Sequence, residues 1–235
     1  MSAILRAHEL VTGYGLGAVI HGVSLEIEAG EAVCLLGRNG AGKSTTLKSI
    51  IGLTPPRSGK VEFMGQEITR RPAFEIARLG IGYIPDDRRI FAELTVEENL
   101  MIVRRVTRRD GRWTLERVYR LFPVLDELRD KHGTGLSGGE QKMLAIGRAL
   151  MGNPSLLILD EPSEGLSPLM VKTLIEAIAQ IRKEGVTLLI ADQNVKFARR
   201  VGSRGYILEE GHIRYSGGLE ELWANEQVVR RYLAV

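Results

Sequence analysis

A glycine-rich segment near the beginning of the chain restricts the possible folds more than any other feature. It reads Gly37-Arg38-Asn39-Gly40-Ala41-Gly42-Lys43-Ser44-Thr45 and matches the pattern G-x-x-x-x-G-K-[ST]. The apolar residues 32–36 before it predict a buried parallel strand, and residues 45–51 after it predict a helix that Gly52 ends. Strand, loop and helix in this order are the context in which the pattern binds the phosphates of a nucleotide.

The residue types of this segment indicate how it would hold a phosphate group. The glycines allow the backbone to curl until consecutive N–H groups point at the anion, and the start of the helix adds the positive end of its dipole. Lys43 would bring a full positive charge to the β- and γ-phosphates, and the Ser44 hydroxyl is placed to bind Mg²⁺. We therefore predict that all nine residues of the segment contact a bound nucleotide.

Length and composition favour one α/β domain with a small inserted subdomain, since 235 residues can bury a full core. The single cysteine, Cys34, excludes a disulfide framework and is expected to fill a small space in the core. The first six residues lack the layout of a signal peptide, and no apolar stretch approaches the length that crosses a bilayer. We expect a soluble intracellular protein whose contact with a membrane would depend on a partner.

Two segments before the glycine-rich loop favour an antiparallel sheet. Residues 4–10 and 23–27 alternate apolar and polar side chains, as half-buried strands do. Between these segments, Tyr14 lies between two glycines, where its ring could stack on a nucleotide base or be an ordinary turn residue. The phosphate loop that follows favours the stacking role.

A block of helices interrupts the alternation of strands and helices. Residues 95–133 favour helix, with breaks at Asp110-Gly111 and at Pro123. Together with the helix that follows, residues 95–150 form a predicted helical subdomain inserted into the α/β domain of residues 1–235.

Arginines are concentrated in this helical block. The run favours a solvated face beside a partner or anionic lipid, with a nucleic-acid surface as the alternative. The residues are Arg104, Arg105, Arg108, Arg109, Arg112, Arg117 and Arg120.

A second glycine-containing segment begins the last helix of the block. It reads Leu136-Ser137-Gly138-Gly139-Glu140-Gln141, and Ser137 and Glu140 have the spacing of a capping box. The helix therefore starts in a nest of glycines that can hold an anion, although by itself the segment could be an ordinary capped helix. Because residues 37–45 already provide a phosphate site, we infer a head-to-tail pair in which this segment closes over the nucleotide of the facing subunit.

Two acidic residues follow the continuous apolar run 154–159, which predicts a central buried strand. Ligands of open α/β sheets lie at this end of the strands. Asp160 is suited to Mg²⁺, and Glu161 is suited to accept a proton from the water that attacks the γ-phosphate. A surface turn with two acids is the alternative, which the buried strand before them disfavours. The next buried strand, residues 186–191, ends in the polar residues 192–194 at the same edge.

These three motifs, in this order, resemble the ATP-binding subunits of ABC transporters, and the resemblance extends along the whole chain. It implies a P-loop α/β core with a mainly parallel sheet, an N-terminal antiparallel β subdomain and an inserted helical subdomain. It also implies that Tyr14 stacks on adenine and that ATP lies between two such subunits. Ser137, Gly138, Gly139 and Glu140 would then contact the ATP of the facing subunit, with residues 163–166 at the dimer interface.

Two positions depart from the general family pattern. Asp86 stands where the family usually has a glutamine, and its carboxylate would still offer an oxygen to Mg²⁺. Gln193 stands where the family usually has a histidine, and it can still donate a hydrogen bond to the γ-phosphate. We therefore predict Lys43, Glu161 and Gln193 as catalytic residues and Ser44, Asp86 and Asp160 as metal ligands. Both departures could slow hydrolysis or change its pH response.

The same departures, with Gln193-Asn194 at the strand end, resemble one ATPase of the high-affinity branched-chain amino acid importers. The related urea and amide importers share much of this pattern. The resemblance implies ATP hydrolysis with Mg²⁺ that drives solute import. It also implies partners: two permease subunits, a second ATPase that is identical or paralogous, and an external solute-binding protein. The subunit would lie peripherally on the cytoplasmic face of the inner membrane.

Two other classes of protein are alternatives to a transport ATPase. An ATPase that acts on nucleic acid is favoured only by the arginine run, and such proteins usually carry two cassettes or a long coiled coil. Neither feature is present, so nucleic acid is not an expected partner. The other class is a regulatory module that binds ATP without turnover. Phosphate release that disappears in the variant Glu161→Gln would exclude it.

Overall fold

The structure is a computed structural model that describes residues 3–87, 89–107 and 111–233. In these ranges the strands are β1 (Ala3–Thr12), β2 (Ile20–Glu28), β3 (Ala32–Leu36), β4 (Ser58–Phe63), β5 (Gln66–Glu67), β6 (Ile81–Ile84), β7 (Leu156–Asp160), β8 (Thr187–Asp192), β9 (Arg204–Glu209) and β10 (His212–Gly218). The α-helices are α1 (Lys43–Ile50), α2 (Ala73–Leu79), α3 (Val96–Thr107), α4 (Leu115–Leu121), α5 (Pro123–Glu127), α6 (Gly138–Leu150), α7 (Pro168–Lys183), α8 (Val195–Val201), α9 (Leu219–Ala224) and α10 (Glu226–Leu233). A single 3-10 turn covers Gly133–Gly135 in the described ranges.

A six-stranded sheet in the order β10-β9-β3-β8-β7-β6 forms the centre of the molecule. Its neighbouring strands are parallel except in the β9–β10 hairpin. The strands β3, β7 and β8 are buried along their whole length, which explains why their sequences are almost entirely apolar. The expected α/β fold with a mainly parallel sheet is confirmed.

A second, antiparallel sheet in the order β2-β1-β4-β5 covers one side of the central sheet. In β2, buried and exposed residues alternate, because one face packs on the core and the other meets water. The alternation of residues 4–10 and 23–27 thus led to the correct strands, although both strands are longer than predicted.

Successive residues of β3 point into two different cores. Cys34 and Leu36 pack in a cluster with the helices of the carboxyl-terminal half, whereas Val33 and Leu35 pack with α1 and the antiparallel sheet. The buried thiol of Cys34 fills the core as expected, and burial raises its pKa to about 12. With β3 fixed on both faces, the loop after it has a rigid base.

The helical block contains α3 to α6 but is less continuous than predicted. Residues 128–132 are not helical, because carbonyl groups of this segment accept hydrogen bonds from the start of α3, and His132 forms an antiparallel β-bridge with Thr95. The Val96 amide donates to the Lys131 carbonyl at 3.0 Å, and the Glu97 amide donates to the Arg129 carbonyl at 3.1 Å. These tertiary bonds replace the helical ones.

The predicted break at Pro123 is confirmed. Helix α4 ends at Leu121 and Pro123 begins α5, since the first turn of a helix does not use the N–H that proline lacks. Asp110 lies outside the described residues. The limits of the inserted subdomain, residues 95–150, stay a prediction. Among the described residues, no helix has both the length and the apolar character that spanning a membrane requires.

Candidate nucleotide site

The glycine-rich loop joins the carboxyl end of β3 to α1, as the sequence predicts. Gly40 and Gly42 have φ angles of 81° and 106°, in the region that favours glycine. Gly37 is needed for a different reason, since a Cβ atom there would lie 2.3 Å from the carbonyl oxygen of Leu208. Glycine therefore shapes the loop at all three positions.

The β9–β10 hairpin supports this loop from behind. The Gly211 amide donates a hydrogen bond of 3.0 Å to the Ala41 carbonyl, and the Gly211 carbonyl accepts one of 2.9 Å from the His21 amide. The turn of the hairpin thus connects the loop with β2 of the antiparallel sheet.

The start of α1 has the features of an anion site. Gly42 precedes the helix, and no side chain caps it. The amides of Lys43, Ser44 and Thr45 belong to the first turn, where an α-helix has no internal acceptor for them. Backbone donors and the helix dipole therefore point at the same volume. Arg38, Asn39 and Gly40 are exposed at the rim of the loop.

Lys43 is turned towards the loop and towards Glu161. Its ammonium group donates to the carbonyl oxygens of Gly37 at 2.8 Å and of Arg38 at 3.1 Å. It also forms an ion pair of 2.8 Å with Glu161 Oε1, and both side chains are buried. The predicted phosphate-binding cation and the predicted base are therefore in direct contact.

Asp160 is held by two hydroxyl groups. Ser44 Oγ donates to Oδ1 at 2.9 Å, and the Tyr83 hydroxyl donates to Oδ2 at 3.0 Å. Burial raises the pKa of Asp160, and these two bonds offset part of the rise. Burial and the neighbouring Asp160 charge in turn raise the pKa of Tyr83. The Ser44 hydroxyl and the Asp160 carboxylate are thus adjacent, and both are oxygen ligands of the type that Mg²⁺ prefers.

Glu161 adopts a constrained backbone conformation. Its φ angle is 46°, and it precedes a proline. The carboxylate pairs with Lys43 and accepts a hydrogen bond of 3.3 Å from the Gln193 amide, and its backbone carbonyl accepts one of 3.0 Å from Lys142 Nζ. Burial raises the pKa of Glu161, and the bond from Lys43 offsets only part of that rise.

The two positions that depart from the family pattern lie at the exposed edge of this site. The Asp86 carboxylate accepts a hydrogen bond of 2.9 Å from the Asp87 amide, and its charge contributes to the raised pKa of Asp160. The Gln193 side chain is exposed, while its backbone amide contacts Glu161. The predicted roles of Asp86 as a metal ligand and Gln193 as a catalytic residue stay predictions.

Tyr14 projects from the loop between β1 and β2, with 55% of its surface exposed. Arg57 holds this loop through three backbone carbonyl groups, those of Gly15 at 2.7 Å, Leu16 at 3.0 Å and Gly17 at 2.8 Å. The ring of Tyr14 is thus presented to solvent by a fixed loop, which is what stacking on a base would require.

The segment at residues 137–140 begins α6 with the predicted capping box. The Ser137 amide donates to Glu140 Oε2 at 2.7 Å, and the Glu140 amide donates to Ser137 Oγ at 3.4 Å. A Cβ atom at position 139 would lie 2.4 Å from the terminal methyl group of Met170, so Gly139 allows α6 to approach α7. Ser137 is exposed and therefore accessible to another molecule.

Several arginines of the helical block pair with acids of the same chain. Arg117 and Arg112 lie 3.0 Å and 4.0 Å from Glu184, and Arg120 lies 3.0 Å from Glu116. These contacts agree with the interpretation as a solvated face. The Arg105 side chain and residues 108–109 lie outside the described part of the chain.

Sequence reasoning missed three residues of the site: Arg57, Tyr83 and Lys142. The partners of Tyr83 and Lys142 are 77 and 19 residues away in sequence, and those of Arg57 are at least 40 away. Only one signal was available, a lysine directly before the apolar residues of α6, and periodicity alone does not reveal its acceptor.

Comparison with known proteins agrees with this geometry. Residues 20–164, more than half of the chain, match the model of the ABC transporter family. The chain belongs to the ABC transporter family. It is an ATPase subunit of that family, as the sequence motifs predict.

Two relatives illustrate the breadth of this family. The high-affinity branched-chain amino acid transport ATP-binding protein BraG of Pseudomonas aeruginosa is 42% identical over 98% of the chain and 99% of BraG. The lipopolysaccharide export system ATP-binding protein LptB of Escherichia coli K12 is 38% identical over 98% of the chain and 97% of LptB. The ABC ATPase thus has full-length relatives in two different transport systems.

A solved structure of another ABC cassette has the same fold. The crystal structure of the ADP conformation of MJ1267, an ATP-binding cassette of an ABC transporter, superposes with a TM-score of 0.83. The two sequences are 26% identical, and the match covers 98% of each chain.

Proposed function

We propose that this ABC ATPase drives the import of branched-chain amino acids through membrane permease partners. The observation that carries the proposal is the identity of 42% with BraG along nearly the full length of both chains. The resemblance at Asp86 and at Gln193-Asn194 supports the same subgroup. A second candidate, an ATPase of lipopolysaccharide export, is favoured by the 38% identity with LptB.

In the proposed mechanism, Lys43 and the amides of the loop bind the triphosphate. Glu161 takes a proton from the attacking water, and Gln193 contacts the γ-phosphate from the exposed edge. The ion pair of 2.8 Å between Lys43 and Glu161 supports this scheme, because the two side chains are in direct contact. The ion pair compensates the burial of both charges while the site holds no nucleotide. When the triphosphate binds, a phosphate group would replace the carboxylate as the partner of Lys43.

Ser44 and Asp160 would hold Mg²⁺, with Asp86 as a further ligand from the exposed edge. The observation that supports this fit is the convergence of Ser44 Oγ and Asp160 Oδ1, 2.9 Å apart. Among the described residues, no group of three or more His, Cys, Asp or Glu side chains could hold a metal ion. Proteins usually bind Mg²⁺ beside a nucleotide through one or two carboxylates together with the phosphates. The ion would neutralise negative charge on the triphosphate.

The proposal includes a second cassette that faces this one. Among the described residues, no hydrogen bond or ion pair connects residues 137–140 with residues 37–45. The exposed Ser137 at the start of α6 is therefore available to a nucleotide of another subunit, either identical or paralogous.

A groove between β6 and the helical block supports docking of a permease. The cavity has a volume of about 310 Å³ and is lined by Tyr83, Pro85, Phe91 and Arg148 among others. The guanidinium group of Arg148 lies 5.0 Å from the centre of the Phe91 ring. The Nη2 atom of the same guanidinium group donates a hydrogen bond of 2.6 Å to the Arg89 carbonyl at the edge of the groove.

Uptake by the source organism tests the proposed substrate. We expect deletion of the gene to abolish high-affinity uptake of radiolabelled leucine, isoleucine and valine while uptake of lysine stays normal. The wild-type gene should restore uptake, and the variant Glu161→Gln should not. Normal leucine uptake together with a defect in lipopolysaccharide export would contradict the proposal and favour the second candidate.

A further inference from the structure

Lys142 is a buried lysine that the reaction scheme above does not use. Only 2% of its surface is exposed, and its ammonium group donates to the backbone carbonyl of Glu161 at 3.0 Å. A buried ammonium group is costly unless it is well partnered, so this contact fixes the relative position of α6 and the loop after β7.

The residue that accepts this hydrogen bond, Glu161, has a strained backbone conformation. Glu161 has a φ angle of 46°, which a residue with a side chain adopts only when its surroundings enforce it. The Glu161 amide donates to the Ala191 carbonyl at 2.8 Å, and the Glu161 carbonyl receives the bond from Lys142. The direction of the Glu161 carboxylate depends on this backbone conformation. Lys142 stabilises it by binding the carbonyl group of Glu161.

The helix that carries Lys142 also carries the segment assigned to the facing nucleotide. Lys142 is five residues after Ser137, which corresponds to about 7 Å along the helix axis. The intervening residues are part of one continuous helix, α6, whose first turn is closed by its capping box. A shift of Ser137 would therefore move Lys142 as part of the same rigid element.

We propose that Lys142 is a positioning residue that fixes Glu161 and links the two nucleotide sites of a cassette pair. This inference rests on the proposed contact of Ser137 with the ATP of the facing subunit. When Ser137 contacts the ATP of the facing subunit, α6 is fixed in position. Lys142 then holds Glu161 in the orientation that hydrolyses the ATP bound to the same chain as Glu161. Each site thus hydrolyses efficiently when the other is occupied.

The test measures ATPase rate, ATP affinity and cooperativity for Lys142→Met, which keeps the length of the side chain and removes its donor. We expect kcat to fall by roughly tenfold to a hundredfold, as a slightly misplaced catalytic group does. The Kd for ATP and the thermal unfolding midpoint should stay within twofold and a few degrees of the wild type. The Hill coefficient for ATP should fall from a value above 1 towards 1.

Three further variants complete the design. Lys142→Arg retains a donor of similar reach and should restore most of the rate. Lys142→Gln retains a donor on a shorter side chain and should give an intermediate rate and Hill coefficient; it decides the question if Lys142→Met does not fold. Lys183→Met makes the same change at an exposed position near the end of α7 and should match the wild type.

A wild-type rate and Hill coefficient in Lys142→Met, or in Lys142→Gln where that variant decides, would overturn the inference. A parallel loss of rate, ATP affinity and thermal stability would also overturn it, because that pattern indicates a structural role alone. A different result would show that the proposed contact of Ser137 with the ATP of a facing subunit is wrong. In that case the variant Glu161→Gln would stay monomeric with ATP, whatever substitution is made at position 142.

Discussion

The Lys43 ammonium group lies 2.8 Å from Glu161 Oε1, and both side chains are buried. Each charge partly compensates the desolvation of the other, so removing one partner leaves the other uncompensated. A triphosphate bound in the loop, as we propose, would compete with Glu161 for Lys43. Nucleotide binding would thereby release the carboxylate for its proposed role as a base.

Replacement of Glu161 by glutamine should abolish turnover and preserve ATP binding. The amide cannot accept the proton of the attacking water, so we expect phosphate release to fall by about 10²–10⁴-fold. ATP affinity should be equal or higher, since Lys43 loses a competing anion. Phosphate release and equilibrium binding of ATP measure the two effects, and light scattering with ATP should detect a dimer. The exposed variant Glu176→Gln is the control, and a rate within tenfold of the wild type in Glu161→Gln would contradict the assignment.

Removal of the Tyr83 hydroxyl should weaken the response to Mg²⁺. The substitution Tyr83→Phe leaves one oxygen of Asp160 without its donor, which costs about 1–2 kcal/mol of unfolding free energy. We expect the Mg²⁺ concentration for half-maximal activity to rise roughly tenfold, while nucleotide binding in EDTA is unchanged. Tyr119→Phe also removes a hydroxyl that donates to a carboxylate, at 3.2 Å from Glu97, and should leave the Mg²⁺ response unaltered. Equal shifts in both variants would argue against a specific role.

Arg57 should govern affinity for the base rather than for the phosphates. Replacing it with alanine removes three bonds to the loop after Tyr14, so the ring loses its fixed position. The Kd for ATP should rise about fivefold to tenfold, which corresponds to about 1–1.4 kcal/mol, with kcat at saturation unchanged. Calorimetry with ATP and with inorganic tripolyphosphate checks this, and only ATP should lose affinity. Arg6→Ala, at an exposed ion pair with Glu26, is the control.

The ion pair of Glu31 with Arg204 should make stability depend on pH. Arg204 donates to both carboxylate oxygens, at 2.7 Å and 2.8 Å. Burial acts to raise the pKa of Glu31, but the bonds from Arg204 and from the Glu28 amide lower it overall. Because the folded pKa is lower than the unfolded one, the stabilisation is complete above the ordinary glutamate pKa of about 4.3 and is lost as pH falls below it.

The variant Glu31→Gln should therefore lose about 1 kcal/mol of unfolding free energy at pH 7. The difference from the wild type should shrink as the pH is lowered through 4 towards the folded pKa. Urea unfolding at several pH values measures it. A difference that stays constant with pH would show that packing, rather than charge, accounts for the loss.

Local features of the sequence predicted much of the fold. The runs at residues 32–36 and 154–159 could be recognised because parallel strands buried on both faces need little but apolar side chains. The capping box of Ser137 and Glu140 is equally local, since its two bonds lie within four residues. Segments whose partners are near in sequence were therefore predicted well.

The errors arose where distant partners decide the structure. Residues 128–132 have no sequence signal against helix, yet hydrogen bonds to the start of α3 keep them non-helical. Lys142 and Tyr83 belong to the same class, since their acceptors become visible only in three dimensions.

The order of strands in the central sheet has a consequence for synthesis of the protein. The phosphate loop follows β3, an early strand whose two hydrogen-bonded neighbours, β8 and β9, come from residues 187–209. A nascent chain therefore carries its nucleotide-binding motif out of the ribosome long before the strands that flank it. Ribosome-bound fragments that end before β8 should not retain ATP, so the ability to bind nucleotide is acquired only after β8 and β9 have been synthesised.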